Sequence, residues 1–145
     1  MPDSSYEPKV YMKQGGDEQV VASGGKITQE VGGSMVGPVV VKTANYTVLA
    51  SESGTVFIAD AADLVFTLPA TAAGLRFTFE NAAVSAGTGL SVSPAAADNI
   101  NEGVDNKDLI NSGATDVLGD SVTVVGDGDK GWFTIGKIGT WAAEA

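Results

Sequence analysis

Acidic side chains are the main candidates for catalytic groups in this sequence. The chain contains no cysteine and no histidine, which excludes disulfides, thiolate chemistry and the usual acid/base group. A nucleophile needs a base beside it, and only carboxylates or lysines remain for that role. Paired carboxylates could hydrolyse a glycan with the help of a metal, but the spacing singles out no pair. We therefore expect neither an enzyme nor a cofactor.

Two acidic stretches partly match a calcium-binding loop. "DGDKG", residues 127–131, has two aspartates two positions apart. "DNINEGVDNKD" begins at Asp98, so that its position 3 is Ile100 and its position 12 is Leu109. The full loop has acids at positions 1, 3 and 5, glycine at 6 and glutamate at 12, and neither stretch fits it. We expect no metal site, and we interpret the first stretch as a hairpin turn in which Gly128 has a positive φ and the aspartates accept backbone hydrogen bonds.

Aromatic side chains could serve a different chemistry, stacking against sugar rings. Trp132 and Trp141, with Tyr46, could form the platform of a carbohydrate-binding module. Aromatic residues also dominate β cores and subunit interfaces, and two tryptophans nine positions apart give no sign of being coplanar. We therefore favour packing of Trp132 in the rim or core, with glycan contact through Trp132 and Trp141 as the alternative.

Short strands are the elements that must position these residues. Glycine occurs 19 times, helix signals are scarce, and apolar residues recur mostly with a period of two. In "LRFTFE", this period places Leu75, Phe77 and Phe79 on one face. Residues 95–116 are the main exception, and their Gly, Asn and Asp content predicts a long loop with at most a short helical piece. The pattern predicts an all-β fold with a small antiparallel β-sandwich or barrel-like body.

Residues 1–36 differ in character from this body, which we place at residues 37–145. Three Gly-Gly pairs punctuate the first segment, at positions 15–16, 24–25 and 32–33. Between them lie β-formers such as Val20, Val21 and Ile27, unlike the serine-rich filler of a flexible linker. We favour a glycine-rich β-arm of short strands joined by tight turns, which needs a partner surface because it is too small to bury its own apolar side chains.

Charge is unevenly distributed along the chain, whose net charge is -10. Residues 1–42 carry five acids and four lysines, whereas the remaining 103 residues carry thirteen acids and four basic residues. Such a body repels nucleic acid and anionic membranes, so we expect neither as a partner. The polar N-terminus lacks the features of a signal peptide, and no segment approaches the roughly 18 apolar residues of a membrane span, so we expect synthesis in a cytoplasm.

Several stretches resemble proteins of tailed bacteriophages. "YEPKVYMKQGGDEQVVASGGKI", residues 6–27, resembles the opening of the head decoration or head fibre proteins of these phages. "YTVLASESGTVFI", "FTLPATAAGLRFTF" and "GDSVTVVGDGDKGWFTIGKIGTW" resemble a β domain that recurs in phage head and tail appendages. The features that carry this second resemblance are the Leu-Pro turn, the following Ala-Gly, and the closing Trp and Gly-Thr-Trp.

The resemblance implies a non-enzymatic homotrimer that is assembled in the host cytoplasm and sits on the outer capsid surface of the virion. Its partners would be the major capsid protein and its own copies, and it would decorate or stabilise the head. The expected capsid or trimer contacts lie in the arm: Tyr6, Val10, Tyr11, Val20, Val21 and Ile27. The alternative is a receptor- or glycan-binding tip of a phage fibre, in which residues 95–116 or the two tryptophans touch host sugars.

Overall fold

The computed structural model describes residues 9–16, 18–25, 37–83, 87, 89–101 and 103–145. Strands dominate these residues, which contain no α-helix and a single 3-10 turn at Ala50–Glu52. The all-β prediction is therefore confirmed. No helix in the described ranges has the length and apolarity needed to span a membrane. The chain divides into two compact units, Met1–Val36 and Gly37–Ala145.

The first unit contains an antiparallel hairpin of two short strands, β1 (Val10–Met12) and β2 (Gln19–Val21). Val10 lies opposite Val21, and Met12 lies opposite Gln19. The first glycine pair lies in the connecting turn, where Gly15 and Gly16 have φ angles of 108° and 76°. These angles lie in the left-handed region that favours glycine.

The second unit contains ten strands in two sheets of five. In chain order they are β3 (Val39–Lys42), β4 (Tyr46–Thr47), β5 (Val56–Ala59), β6 (Val65–Thr67), β7 (Arg76–Asn81), β8 (Gly89–Ser93), β9 (Leu109–Ser112), β10 (Ser121–Gly126), β11 (Trp132–Ile138) and β12 (Trp141–Ala143). The first sheet has the order β11-β10-β7-β5-β3, and the second has the order β12-β9-β8-β6-β4.

Both sheets are mixed, which corrects the prediction of an antiparallel body. From β3 to β8 the chain alternates between the sheets, so each strand pairs with the strand two places away in sequence. β3, β5 and β7 are therefore parallel, as are β4, β6 and β8. Antiparallel pairing joins β9 to β8 and β12, and β10 to β7 and β11. A period of two identifies half-buried strands but not their pairing partners, which is why the direction was wrong.

The core lies between the two sheets and is rich in phenylalanine. Phe57 and Phe79 from the first sheet and Phe66 from the second are all fully buried. The Phe66 and Phe79 ring centroids are 4.9 Å apart, and those of Phe57 and Phe66 are 5.6 Å apart. Such aromatic pairs each add about 0.5–1.5 kcal/mol beyond the burial of their area. The predicted face of "LRFTFE" is confirmed, since Phe77 is also buried and Leu75 packs against the same core.

Residues 95–116 include a β-strand, which corrects the prediction of a long loop. They contain β9, which pairs with β8 on one side and β12 on the other. Ile100 forms an isolated parallel bridge with Trp132 and is buried, whereas Val104 is largely exposed. The described residues of this range contain no helical piece. The strand was missed because "LINS" is short and places a polar residue, Asn111, at a buried position.

Candidate functional site

The turn of the N-terminal hairpin is held by its backbone and by one ion pair. Lys13 N donates to Glu18 O at 2.8 Å, and Gly16 N donates to Lys13 O at 2.9 Å. The Lys13 ammonium lies 2.6 Å from Glu18 Oε2, and this hydrogen bond, with the charge of Glu18, raises the pKa of Lys13. Both side chains are more than half exposed, so the pair contributes little to stability.

A second turn follows β2 and requires glycine for steric reasons. Ala22 N donates to Lys9 O at 2.7 Å, and Gly25 N donates to Ala22 O at 2.8 Å. A Cβ at Gly25 would lie 2.6 Å from the Lys9 carbonyl oxygen, and Gly24 has a φ of 75°. The second glycine pair therefore permits a close backbone approach. The third pair, Gly32-Gly33, falls outside the described residues.

The hairpin carries apolar side chains on both of its faces. Tyr11 and Val20 lie opposite each other on one face, while Val10, Val21 and Met12 share the other. Tyr11 is 41% exposed, Val21 45% and Met12 55%. A two-stranded ribbon cannot cover both of its own faces, so these side chains are available to a partner.

Four of the six predicted arm contacts therefore lie together on this hairpin. Tyr6 and Ile27 fall outside the described residues, and their roles stay predictions. Sequence reasoning missed Met12, although its position two residues after Val10 places it on the same face of the strand.

The two tryptophans do not form a stacking platform. Trp132 is fully buried, with its ring centroid 5.7 Å from that of Phe77, so it is a core residue. Trp141 is 6% exposed, and its indole Nε1 donates to Ile138 O at 2.9 Å. The Tyr46 ring lies beneath the Lys42 ammonium, 3.2 Å from it. Stacking against a sugar needs an exposed ring face, which neither tryptophan has; only Trp141 borders a groove on the surface.

The "DGDKG" stretch is the turn between β10 and β11, as predicted. Asp127 Oδ1 accepts hydrogen bonds from the backbone N–H groups of Asp129, Lys130 and Gly131 at 2.9, 2.9 and 3.0 Å. These donors, the N–H of Asp129 foremost, hold the pKa of Asp127 below its ordinary value. Gly128 has a φ of 82°. Within the described part of the chain, no group of three or more acidic residues is placed to hold a metal ion.

The two edge strands of the first sheet expose apolar side chains. On β3, Val39 and Val41 are exposed beside Val56 and Ile58 of β5, which are half-buried. At the opposite edge, Ile135 and Ile138 of β11 are exposed, as are Val117 and Leu118 in the turn before β10. Neither edge strand carries an acid; their charged residues are one lysine each, Lys42 and Lys137. Both edge strands thus expose apolar side chains and carry no acidic residue on an acidic chain.

A groove of about 420 Å³ lies between the segment that precedes β9 and the strand β12. Its lining includes the buried residues Ile100, Leu109 and Trp141. Polar side chains border it: Asn101, Lys107, Asp108, Lys137 and Glu144. Two of the body's few cations therefore lie at one groove.

Hydrogen bonds and an ion pair fasten the walls of this groove to each other. Lys107 Nζ donates to the backbone oxygen of Ala145 at 2.8 Å and lies 3.9 Å from Glu144 Oε2. Glu144 N donates to Asp108 O at 2.8 Å. The strand β12 and the residues after it are thereby tied to the segment that enters β9.

Comparison with protein-family models and with curated proteins finds no match for this chain. Its function must therefore be inferred from the hairpin, the sheet edges and the groove.

Proposed function

We propose that this protein is a structural virion protein that binds the outer surface of a bacteriophage capsid as a homotrimer and decorates or stabilises the head. Its partner would be the major capsid protein, and the role requires no catalytic group. The observation that supports it best is the N-terminal hairpin with apolar residues on both faces. The sequence resemblance of residues 6–27 to head decoration proteins supports the same role.

The hairpin is suited to attachment because it is incomplete by itself. An isolated two-stranded hairpin is marginally stable in water, and burying an apolar side chain contributes about 1.5–3 kcal/mol. Exposed Tyr11, Met12 and Val21 therefore gain most when another surface covers them. Two apolar faces suit a ribbon held between two surfaces, such as the capsid and a neighbouring copy.

The edges of the first sheet support the homotrimer. A ring of three subunits uses a heterologous interface, in which one surface of a copy contacts a different surface of the next. The β3 edge and the β11 edge are two such surfaces at opposite ends of one sheet. Acidic subunits repel one another, and contact through acid-free edges reduces that repulsion. Three attached arms then bind with avidity although each alone binds weakly.

Capsids that lack the protein provide the test. The purified full chain is mixed with them and the particles are imaged by electron microscopy; symmetric, stoichiometric density on the outer surface is the expected result. Capsids without added density, combined with binding of the chain to glycans, would favour the alternative of a receptor- or glycan-binding fibre tip. The groove is the structural feature that favours this alternative, since residues 100, 101, 103, 104 and 107–109 contribute to its lining.

A further inference from the structure

The groove beside β12 has the form of a small-ligand site. Its volume of about 420 Å³ lies within the range of ligand pockets, roughly 300–1,000 Å³. Val104 and Ala143 expose apolar surface in the groove, and its other apolar lining residues, Ile100, Leu109 and Trp141, are anchored in the core. A ligand with an apolar face therefore meets apolar side chains in this groove.

The polar groups at its border offer both donors and acceptors. Asn101 Oδ1 accepts hydrogen bonds from Thr134 N at 2.9 Å and from Thr134 Oγ1 at 3.1 Å, which directs the amide Nδ2 to other partners. The Lys137 ammonium makes no hydrogen bond or ion pair with any residue that the structure describes. The Asp108 carboxylate and Glu144 are acceptors on the same border. The groove thus has polar groups of both kinds beside its apolar lining.

From this combination we infer that the groove binds a short neutral saccharide. A sugar ring presents C–H groups to an apolar wall, and its hydroxyl groups both donate and accept hydrogen bonds. Lys137 and Asn101 donate to hydroxyl oxygens, and Asp108 accepts from hydroxyl groups. A neutral ligand fits better than an anion, because the net charge of -10 repels anions and Lys107 already faces Glu144.

This site is separate from the N-terminal hairpin and goes beyond the proposed capsid attachment. A decorating protein that holds a saccharide on the particle surface would bring the particle to a glycan-coated cell. The saccharide site is tested on the isolated full chain without capsids, so its failure leaves the capsid proposal untouched.

The test is a titration of the isotopically labelled full chain with neutral trisaccharides of glucose, galactose, mannose and N-acetylglucosamine, followed by NMR. At least one of them is expected to shift the signals of Asn101, Leu109, Lys137 and the Trp141 indole at millimolar concentration. Lys137→Met and Asp108→Asn should each weaken this binding about tenfold, since each removes a hydrogen bond to a charged group. Lys130→Met and Asp129→Asn make the same charge changes elsewhere on the body and should leave binding unchanged.

Three results would overturn the inference. One is the absence of any shift with all four trisaccharides. Another is a set of shifts outside the groove, or shifts that Lys137→Met and Asp108→Asn leave at wild-type affinity. The third comes from a parallel titration with a sialic-acid-terminated trisaccharide: its binding without that of any neutral trisaccharide would assign the groove to anions instead.

Discussion

Asn81 and Asn111 lie on different sheets, and their side-chain amides are hydrogen-bonded to each other in the interior. Asn81 Nδ2 donates to Asn111 Oδ1 at 3.1 Å and to Asp116 Oδ2 at 3.2 Å. Asn111 Nδ2 donates to Asp120 Oδ2 at 2.8 Å and to Thr140 O at 3.0 Å. This network joins β7, β9 and two turns at one end of the body. The Asp116 and Asp120 carboxylates of this network accept hydrogen bonds from the two amides, so the network is suited to holding the sheets together.

Removing the central amide of this network should destabilise the protein. Asn111→Ala is expected to lower the free energy of unfolding by about 1–3 kcal/mol, because it leaves buried polar groups without partners. Urea unfolding of the full chain measures the change. Ser112→Ala, on the same strand but on its opposite face, is the control and should have little effect. Equal stability of Asn111→Ala and the wild type would show that the network is dispensable.

The hairpin predicts two separate contributions to capsid binding. Tyr11→Ser with Val20→Ser alters one face, and Met12→Ser with Val21→Ser alters the other. Each pair should weaken binding roughly 10- to 100-fold, because an apolar side chain is worth about 1.5–3 kcal/mol when fully buried and these side chains are only partly exposed before binding. Co-sedimentation with capsids measures the affinity.

The control for this experiment is Lys13→Gln, which removes the exposed ion pair of the turn and should bind nearly normally. Full binding by one of the two double variants would mean that only one face of the hairpin is covered. Full binding by both would remove the hairpin from the contact altogether.

If the protein forms the proposed homotrimer through its sheet edges, substitutions at these edges should separate the subunits. Val41→Lys on β3 and Ile138→Lys on β11 should each yield monomers, because each places a charge in an apolar contact. Analytical ultracentrifugation measures the mass. Ala70→Lys, at an exposed alanine between β6 and β7, which are interior strands of their sheets, should keep the wild-type mass.

Mixing the two edge variants distinguishes the kinds of interface. In a heterologous ring, Val41→Lys retains a normal β11 edge and Ile138→Lys a normal β3 edge, so an equal mixture should form dimers that do not close. An isologous contact of β3 with β3 predicts instead that Ile138→Lys alone stays associated. A wild type that is monomeric at all concentrations would contradict the trimer itself.

Asp127 predicts a pH-dependent contribution to stability. Its folded pKa is lowered, above all by the backbone N–H of Asp129, from an ordinary value of 3.8. Because its folded-state pKa is lowered, the ionised carboxylate stabilises the native state at pH values above the ordinary pKa. This stabilisation is lost as the pH falls through the folded-state pKa. Asp127→Ala should therefore be less stable than the wild type at pH 7, and the difference should shrink below about pH 3.8.

Thermal unfolding across this pH range measures the effect. Asp129→Asn, in the same turn, serves as the control and should show no comparable convergence with the wild type. A difference between Asp127→Ala and the wild type that is constant with pH would mean that the ionised carboxylate does not stabilise the turn.

The strands were predictable from sequence to the extent that side-chain alternation reports burial. Phe77 and Phe79 alternate with polar residues, and this alone identified a core face. The turn at Asp127 was predictable because glycine and aspartate have specific backbone roles in turns. The burial of Asn111 was not predictable from sequence. A buried amide needs hydrogen-bond partners, and these are supplied by Asn81 and Asp120, which lie elsewhere in the sequence.

Strand pairing could not be predicted from the sequence pattern either, for a related reason. Whether β5 pairs with β4 or with β3 depends on which sheet the chain enters after each turn. The groove could not be foreseen either, because Lys137 meets the segment before β9 only after the two sheets have assembled.

The alternation of β3 to β8 between the sheets makes this part of the body a stack of three successive windings. The antiparallel strands β9 to β12 close one end of the stack, while β3 and β4, the first winding, end both sheets at the other. A further winding inserted before β3 would extend both sheets and leave the groove unchanged, as repeats do in solenoid proteins. The fold therefore allows both sheets to lengthen at the end formed by β3 and β4 without redesign of β9 to β12.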